Sequence, residues 1–115
     1  MRGIEGEQVL LRLILGESRR QEQKALYRTI LEVLHREGLA GTTVIKGIAG
    51  FGHDRRVHTV AIEAASTDLP LVIEVVDTQE HVDRVLARLE PWLEGVVITL
   101  ERAHVIRYSR SRSSA

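Results

Sequence analysis

Two stretches constrain the fold more than anything else in the chain. Val9 to Leu15 and Leu71 to Val76 are apolar at every position except one each, Arg12 in the first and Glu74 in the second. Side chains alternate between the two faces of a strand, so a run that is apolar on both reads as a central strand covered on both sides. Each run is also too short for an independent helix or a membrane span.

The segments between them have a different period. Leu26, Ile30, Leu31 and Leu34 recur at helical spacing, with Tyr27 widening the stripe and Gly38 as a stop signal. Val82, Val85, Leu86 and Leu89 form a second stripe, closed by Pro91. Asp77 stands three residues before Glu80, the spacing of an Asp-type capping box, and is expected to start that helix. Thr42 to Ile48 is rich in β-branched residues and predicts a strand, Val57 to Ala61 a short strand or loop arm, and Val96 to Leu100 with Ala103 to Tyr108 one bent strand or two short ones.

The order is therefore strand, helix, strand, strand, helix, strand. This predicts an α+β, ferredoxin-like split β-α-β sandwich, an antiparallel sheet with two helices on one face, as a single domain over residues 1–108. Residues 109–115, serine- and arginine-rich, are expected to be a disordered tail. Val9, Leu11, Leu13 and Leu15, with Leu71, Ile73 and Val75 and with Val96, Ile98 and Leu100, are expected to meet the helices. The opposite face carries Leu10, Ile14, Val72 and Val76, too apolar for water, with Arg12 and Glu74 placed to pair across it. That face is expected to be shared between copies of the chain.

Composition removes several function classes. There is no cysteine, hence no disulfide framework, thiolate metal site or cysteine nucleophile. Sixteen basic residues balance sixteen acidic ones, so no global positive field draws the chain to nucleic acid. Met1 to Glu7 carries charge and glycine instead of a signal-peptide core, and a soluble cytoplasmic protein is expected. Fourteen of the basic residues are arginine, which suits bidentate contact with carboxylate or phosphate and equally suits a solvated surface from an arginine-rich codon usage.

Gly6-Glu7, Gly16-Glu17-Ser18, Gly38-Leu39-Ala40-Gly41-Thr42-Thr43-Val44, Gly47-Ile48-Ala49-Gly50-Phe51-Gly52, Val57-His58-Thr59 and Asp68-Leu69-Pro70-Leu71-Val72-Ile73-Glu74 occur in that order. Together, from Glu5 to Tyr108, they resemble the bacterial and archaeal "domain of unknown function 190" family, which is similar to the PII signalling proteins. The resemblance implies a homotrimer with sheets facing inward, ligand clefts between neighbouring subunits, and a loop at residues 50–66 that engages a protein target. It also suggests a membrane transporter or channel as that target. One departure stands out: Glu94-Gly95-Val96-Val97-Ile98-Thr99 lacks the glycine- and lysine-rich segment with which PII proteins wrap ATP phosphates.

Candidate ligand residues follow from both readings. In the segment from Lys46 to Arg56, Gly47, Gly50 and Gly52 let backbone approach an anion, while Lys46, Arg55 and Arg56 are placed to clamp it. A mobile turn with solvated charges is the alternative, and the Gly-Lys-Ser/Thr ending of a P-loop is missing. His58 and Thr59, Glu17 at the end of the first strand, and Arg107, placed similarly to basic residues of PII clefts, complete the candidate set. His53, Asp54 and His58 lack metal-ligand spacing and read as loop residues. No nucleophile-and-base motif appears, so no catalytic residue and no enzyme is expected.

The function expected is a regulatory, ligand-sensing subunit for a nucleotide-like or anionic metabolite, of identity the sequence does not name. A structural or partner-binding oligomer without a small ligand is the alternative.

Overall fold

The main strands register so that the two apolar runs lie side by side. In the computed structural model, which describes residues 4–51, 57–59 and 68–107 (58 and 59 by backbone), β1 spans Gly6–Gly16, α1 Leu26–Arg36, β2 Thr42–Lys46, β3 Pro70–Asp77, α2 Gln79–Leu89 and β4 Val97–Val105. The sheet order is β2-β3-β1-β4, with every neighbouring pair antiparallel. This is the split β-α-β arrangement expected from the element order. Arg12 pairs with Glu74 on one side and Thr99 on the other.

The core forms between sheet and helices. Leu11, Leu13, Ile73 and Val75 are fully buried, as are Ile30, Val82, Val85 and Leu89 from the helices. Each such side chain contributes about 1.5–3 kcal/mol through removal from water. Val33 joins the α1 stripe, while Tyr27 and Leu31 pack at its margin. Alternation places Ile98 and Leu100 on the helix side too, opposite Leu13 and Leu11. Contrary to expectation they remain exposed, at 36% and 50%, because β4 is the sheet's edge strand.

Both helices end where local chemistry dictates. Gly38, at φ +75°, follows α1 as its C′ residue. Its N–H donates to the His35 carbonyl and the Leu39 N–H to that of Leu34, the pair of bonds that defines a Schellman motif. At α2 the expected cap moves by one residue. Thr78 is the N-cap, its hydroxyl accepting from the His81 N–H at 3.1 Å. Asp77 instead ends β3 opposite Val9 and is fully buried, its carboxylate accepting from the backbone N–H groups of Ala40 and Thr78, each at 2.7 Å. Pro91 lies in a 3₁₀ turn, Glu90–Trp92, directly after α2.

Two small ladders decorate the frame. Arg20–Gln21 pairs with Lys24–Ala25 as a hairpin between β1 and α1, and Ala49–Gly50 pairs with His58–Thr59 beyond β2. The latter confirms a short strand inside the expected Val57 to Ala61 arm. The tail at 109–115 lies outside the described residues. No helix among the described residues is long and apolar enough to cross a membrane.

Candidate functional site

One corner of the sheet collects most of the candidate residues. β1 ends, β2 ends and β3 begins there, since Gly16 pairs with Pro70 and Lys46 with Leu71. The chain leaving β1 is tied down by the Glu17 N–H on the Leu69 carbonyl (2.8 Å) and by the Ser18 hydroxyl on Asp68 Oδ1 (2.6 Å). The chain leaving β2 is tied by the Gly47 N–H on the Pro70 carbonyl (2.7 Å).

Charge at this corner is concentrated in one pair. Lys46 Nζ reaches across β3 to within 3.0 Å of Glu17 Oε1. That oxygen is shielded from solvent and meets the ammonium as an ion pair without an aligned hydrogen bond. A buried carboxylate oxygen lacking an aligned donor costs free energy, which is the condition a ligand's N–H or O–H group relieves.

The glycines here have a packing reason. A Cβ on Gly47 would come within 2.8 Å of Pro70 Cγ, and one on Gly50 within 3.2 Å. Pro70 therefore occupies the space that side chains would take, and the Gly47 N–H is engaged with its carbonyl. Gly50 stands opposite His58, and Ala49 opposite Thr59, so residues 49–50 and 58–59 form a two-residue neck beyond β2. Gly52, Arg55 and Arg56 lie outside the described residues.

Arg107 lies elsewhere. It follows β4, whose end pairs with the start of β1, and its guanidinium stands 3.7 Å from Glu5. With β1 rising about 3.3 Å per residue, it sits at the opposite end of the sheet from Glu17 in the same chain. Among the described residues no group of three His, Asp or Glu side chains is arranged for a metal.

The outer face of the sheet holds a second polar feature. Arg12 Nε donates to Glu74 Oε2 at 2.9 Å, as the sequence suggested, and Nη1 also donates to Glu101. These hydrogen bonds, Glu74's first and Glu101's second, raise the guanidinium's pKa above its ordinary value. Around them Leu10, Ile14, Val72 and Val76 are half-buried, with no described element of the same chain laid over them, and Ile45 and Val97 extend the apolar surface on the flanking strands. Sequence reading missed Glu101, although its place two residues after Thr99 puts it on Arg12's face. It also missed Arg19, whose guanidinium donates to the Glu94 carbonyl and lies over Gly95, joining segments with no sequence signal between them.

Such an antiparallel sheet, with both helices on one side and a short ladder after β2, defines the class as a PII-like, ferredoxin-type α+β fold. Residues 8–105 match the model of the family DUF190, described as Uncharacterized ACR, COG1993, and the chain belongs to that family. A UPF0166 protein of Methanocaldococcus jannaschii is 41% identical over 80 residues, covering 70% of this chain and 73% of that protein. A UPF0166 protein of Aquifex aeolicus is 34% identical over 97 residues, covering 84% and 91%. Among solved structures, CPII, a nitrogen regulatory PII-like protein from Thiomonas intermedia K12 bound to ADP, AMP and bicarbonate, superposes with a TM-score of 0.68 at 19% identity. The superposition covers 88% of this chain and 90% of that one.

Proposed function

We propose that the chain is a non-enzymatic, PII-like regulatory subunit that assembles as a homotrimer and binds a nucleotide-like or anionic metabolite at clefts between subunits. The observation that carries this reading is the outer face that no described element covers: Leu10, Ile14, Val72 and Val76 are continuous across β1 and β3, and the charges among and beside them, Arg12, Glu74 and Glu101, form one ion-paired cluster. Such a face is stable in water when a second copy covers it.

The Glu17–Lys46 corner is the ligand position in this reading, and residues 50–66, leaving the sheet through the adjacent neck, signal occupancy to a protein target, a membrane transporter or channel among the candidates. Arg55, Arg56, His58 and Thr59 belong to that arm, and Arg107 reaches a neighbouring subunit's cleft. The ligands named for the Thiomonas protein, ADP, AMP and bicarbonate, make adenine nucleotides and small anions the first to test. One observation favours the alternative of a partner-binding oligomer without a ligand: the Gly47 N–H and the Lys46 ammonium are already engaged within the chain.

Light scattering combined with thermal unfolding tests both parts. The expected result is three chain masses in solution and a rise in melting temperature with one of ADP, AMP or bicarbonate, since a ligand of the native state stabilises by mass action. Lys46→Gln should remove the rise while preserving the mass. A trimer with no response to any of them supports the ligand-free alternative, and a monomer overturns the proposal.

A further inference from the structure

An open groove of about 590 Å³ lies between the Arg20–Ala25 hairpin and α1, sharing only Glu17 and Ser18 with the corner at the end of β1. Arg20, Lys24, Arg28 and Tyr27 border it, with Glu17 and Glu32 at its margins. The pairing of these charges is uneven. Glu17 is taken by Lys46 at 3.0 Å and Glu32 by Lys24, so each carboxylate beside the groove already has a lysine. Neither arginine has a carboxylate partner within ion-pair distance among the described residues. They are held by neutral groups: Arg20 Nη2 donates to the Gln23 carbonyl, while Arg28 Nε lies 3.4 Å from the Tyr27 hydroxyl, its guanidinium 5.9 Å from the ring centre. Arg84, Arg88 and Arg107 each stand 3.4–3.8 Å from a carboxylate. Arg19, like Arg20, is held by a backbone carbonyl, but of the described arginines only Arg20 and Arg28 border the groove.

Two guanidinium groups held by neutral acceptors, neither in ion-pair contact with a carboxylate although Glu32 acts on Arg28 from one turn away, over a cavity with no acid in the first turn of the adjoining helix, form an arrangement that can receive an oxyanion. We infer that this groove binds a dianionic phosphate group, as carried by a phosphate monoester, between Arg20 and Arg28. Lys24 is a reserve donor held back by Glu32. The groove is complete within one chain, so it does not rest on the trimer, and its failure would leave the assembly reading untouched.

Calorimetric titration of the full chain with inorganic phosphate at low ionic strength tests this, because screening there is weak. The expected result is saturable binding at one site per chain, weakened at least about tenfold in Arg20→Gln/Arg28→Gln by loss of two charge-assisted contacts. The control Arg84→Gln/Arg88→Gln makes the same change in net charge on α2 and should shift affinity by less than about twofold, the scale of a screened surface charge. Glu32→Gln, which releases Lys24, should tighten binding by about threefold or more. Equal weakening in both double variants, no response to Glu32→Gln, or no saturable binding would each overturn the inference.

Discussion

Leu13 and Ile14 are consecutive residues of similar size and chemistry on one strand, yet they experience different solvents. Leu13 points at α1 and α2 and has no exposure, whereas Ile14 points the other way, toward Val72 and Val97, and stays half-buried with no described element of its own chain above it. The same contrast runs along the sheet: Leu11, Ile73 and Val75 on the covered side, Leu10, Val72 and Val76 on the open one. Apolar content does not distinguish the two faces. What does is how each treats its charged residues, since Asp77 is held on the helix side by backbone donors with His81 Nδ1 at 3.5 Å, while Arg12 is shared by Glu74 and Glu101 on the open side.

The largest effect that separates the faces comes from truncation at these neighbouring positions. Leu13→Ala opens a cavity in the chain's own core and should cost about 2–5 kcal/mol in urea unfolding, independent of protein concentration. Ile14→Ala should cost less in dilute protein, and its penalty should grow with concentration, because the packing that its side chain provides belongs to the assembly. A concentration-independent loss of equal size at both positions would mean the outer face is covered from within the chain.

Asp77 gives the next effect. Asp77→Ala leaves the buried N–H of Ala40 and the half-buried N–H of Thr78 without their carboxylate, at about 1–3 kcal/mol for the buried donor and less for the other. Asp77→Asn retains one acceptor oxygen and should recover part of that loss. If Asp77→Ala unfolds no earlier than the parent, the carboxylate is not what holds the start of β2 to the end of β3.

These residues also mark how far the sequence could be read. Strand alternation and helical spacing were sufficient for the element order, the split topology, both faces of β1 and β3, and the Arg12–Glu74 pairing, because each depends on local period and one register. The helix start was displaced because Asp77 and Thr78 are both good N-caps and the spacing to Glu80 favours the first. Only the extra pairing of β3 with Val9 and the N–H of Ala40 explains why Asp77 stays in the strand. Ile98 and Leu100 have the right parity for the core, but parity carries no information on how far two helices extend over a four-stranded sheet. At the candidate site Glu17, Lys46 and Gly47 meet, yet the role of Pro70 as the body against which Gly47 and Gly50 pack was invisible, since it depends on a contact between β2 and β3. The groove at Arg20 and Arg28 escaped notice for a related reason: arginines are frequent in the chain, and which of them lack carboxylates is a property of the folded surface.

The smallest effect on the separate chain, and the sharpest on the comparison, is expected at Arg12. Its guanidinium stays protonated, with a pKa raised chiefly by the hydrogen bond to Glu74, so its contribution is fully present at neutral pH and on the alkaline side is lost only as pH rises through its own titration. Neutral-pH experiments therefore see its full effect. Arg12→Leu makes the open face more apolar but leaves Glu74 and Glu101 facing each other without the cation they share. In dilute monomer both carboxylates can hydrate and the urea midpoint should barely move. In an assembly they would be desolvated as like charges, so the same substitution should dissociate it, read as a fall in mass by light scattering. Glu74→Leu/Glu101→Leu added to Arg12→Leu should restore association through an uncharged apolar face, though with mixed stoichiometry if the ionic cluster is what fixes register. An Arg12→Leu protein that associates as tightly as the parent would place the open face outside the interface, and the contrast between Leu13 and Ile14 would then describe a surface and a core, not two cores.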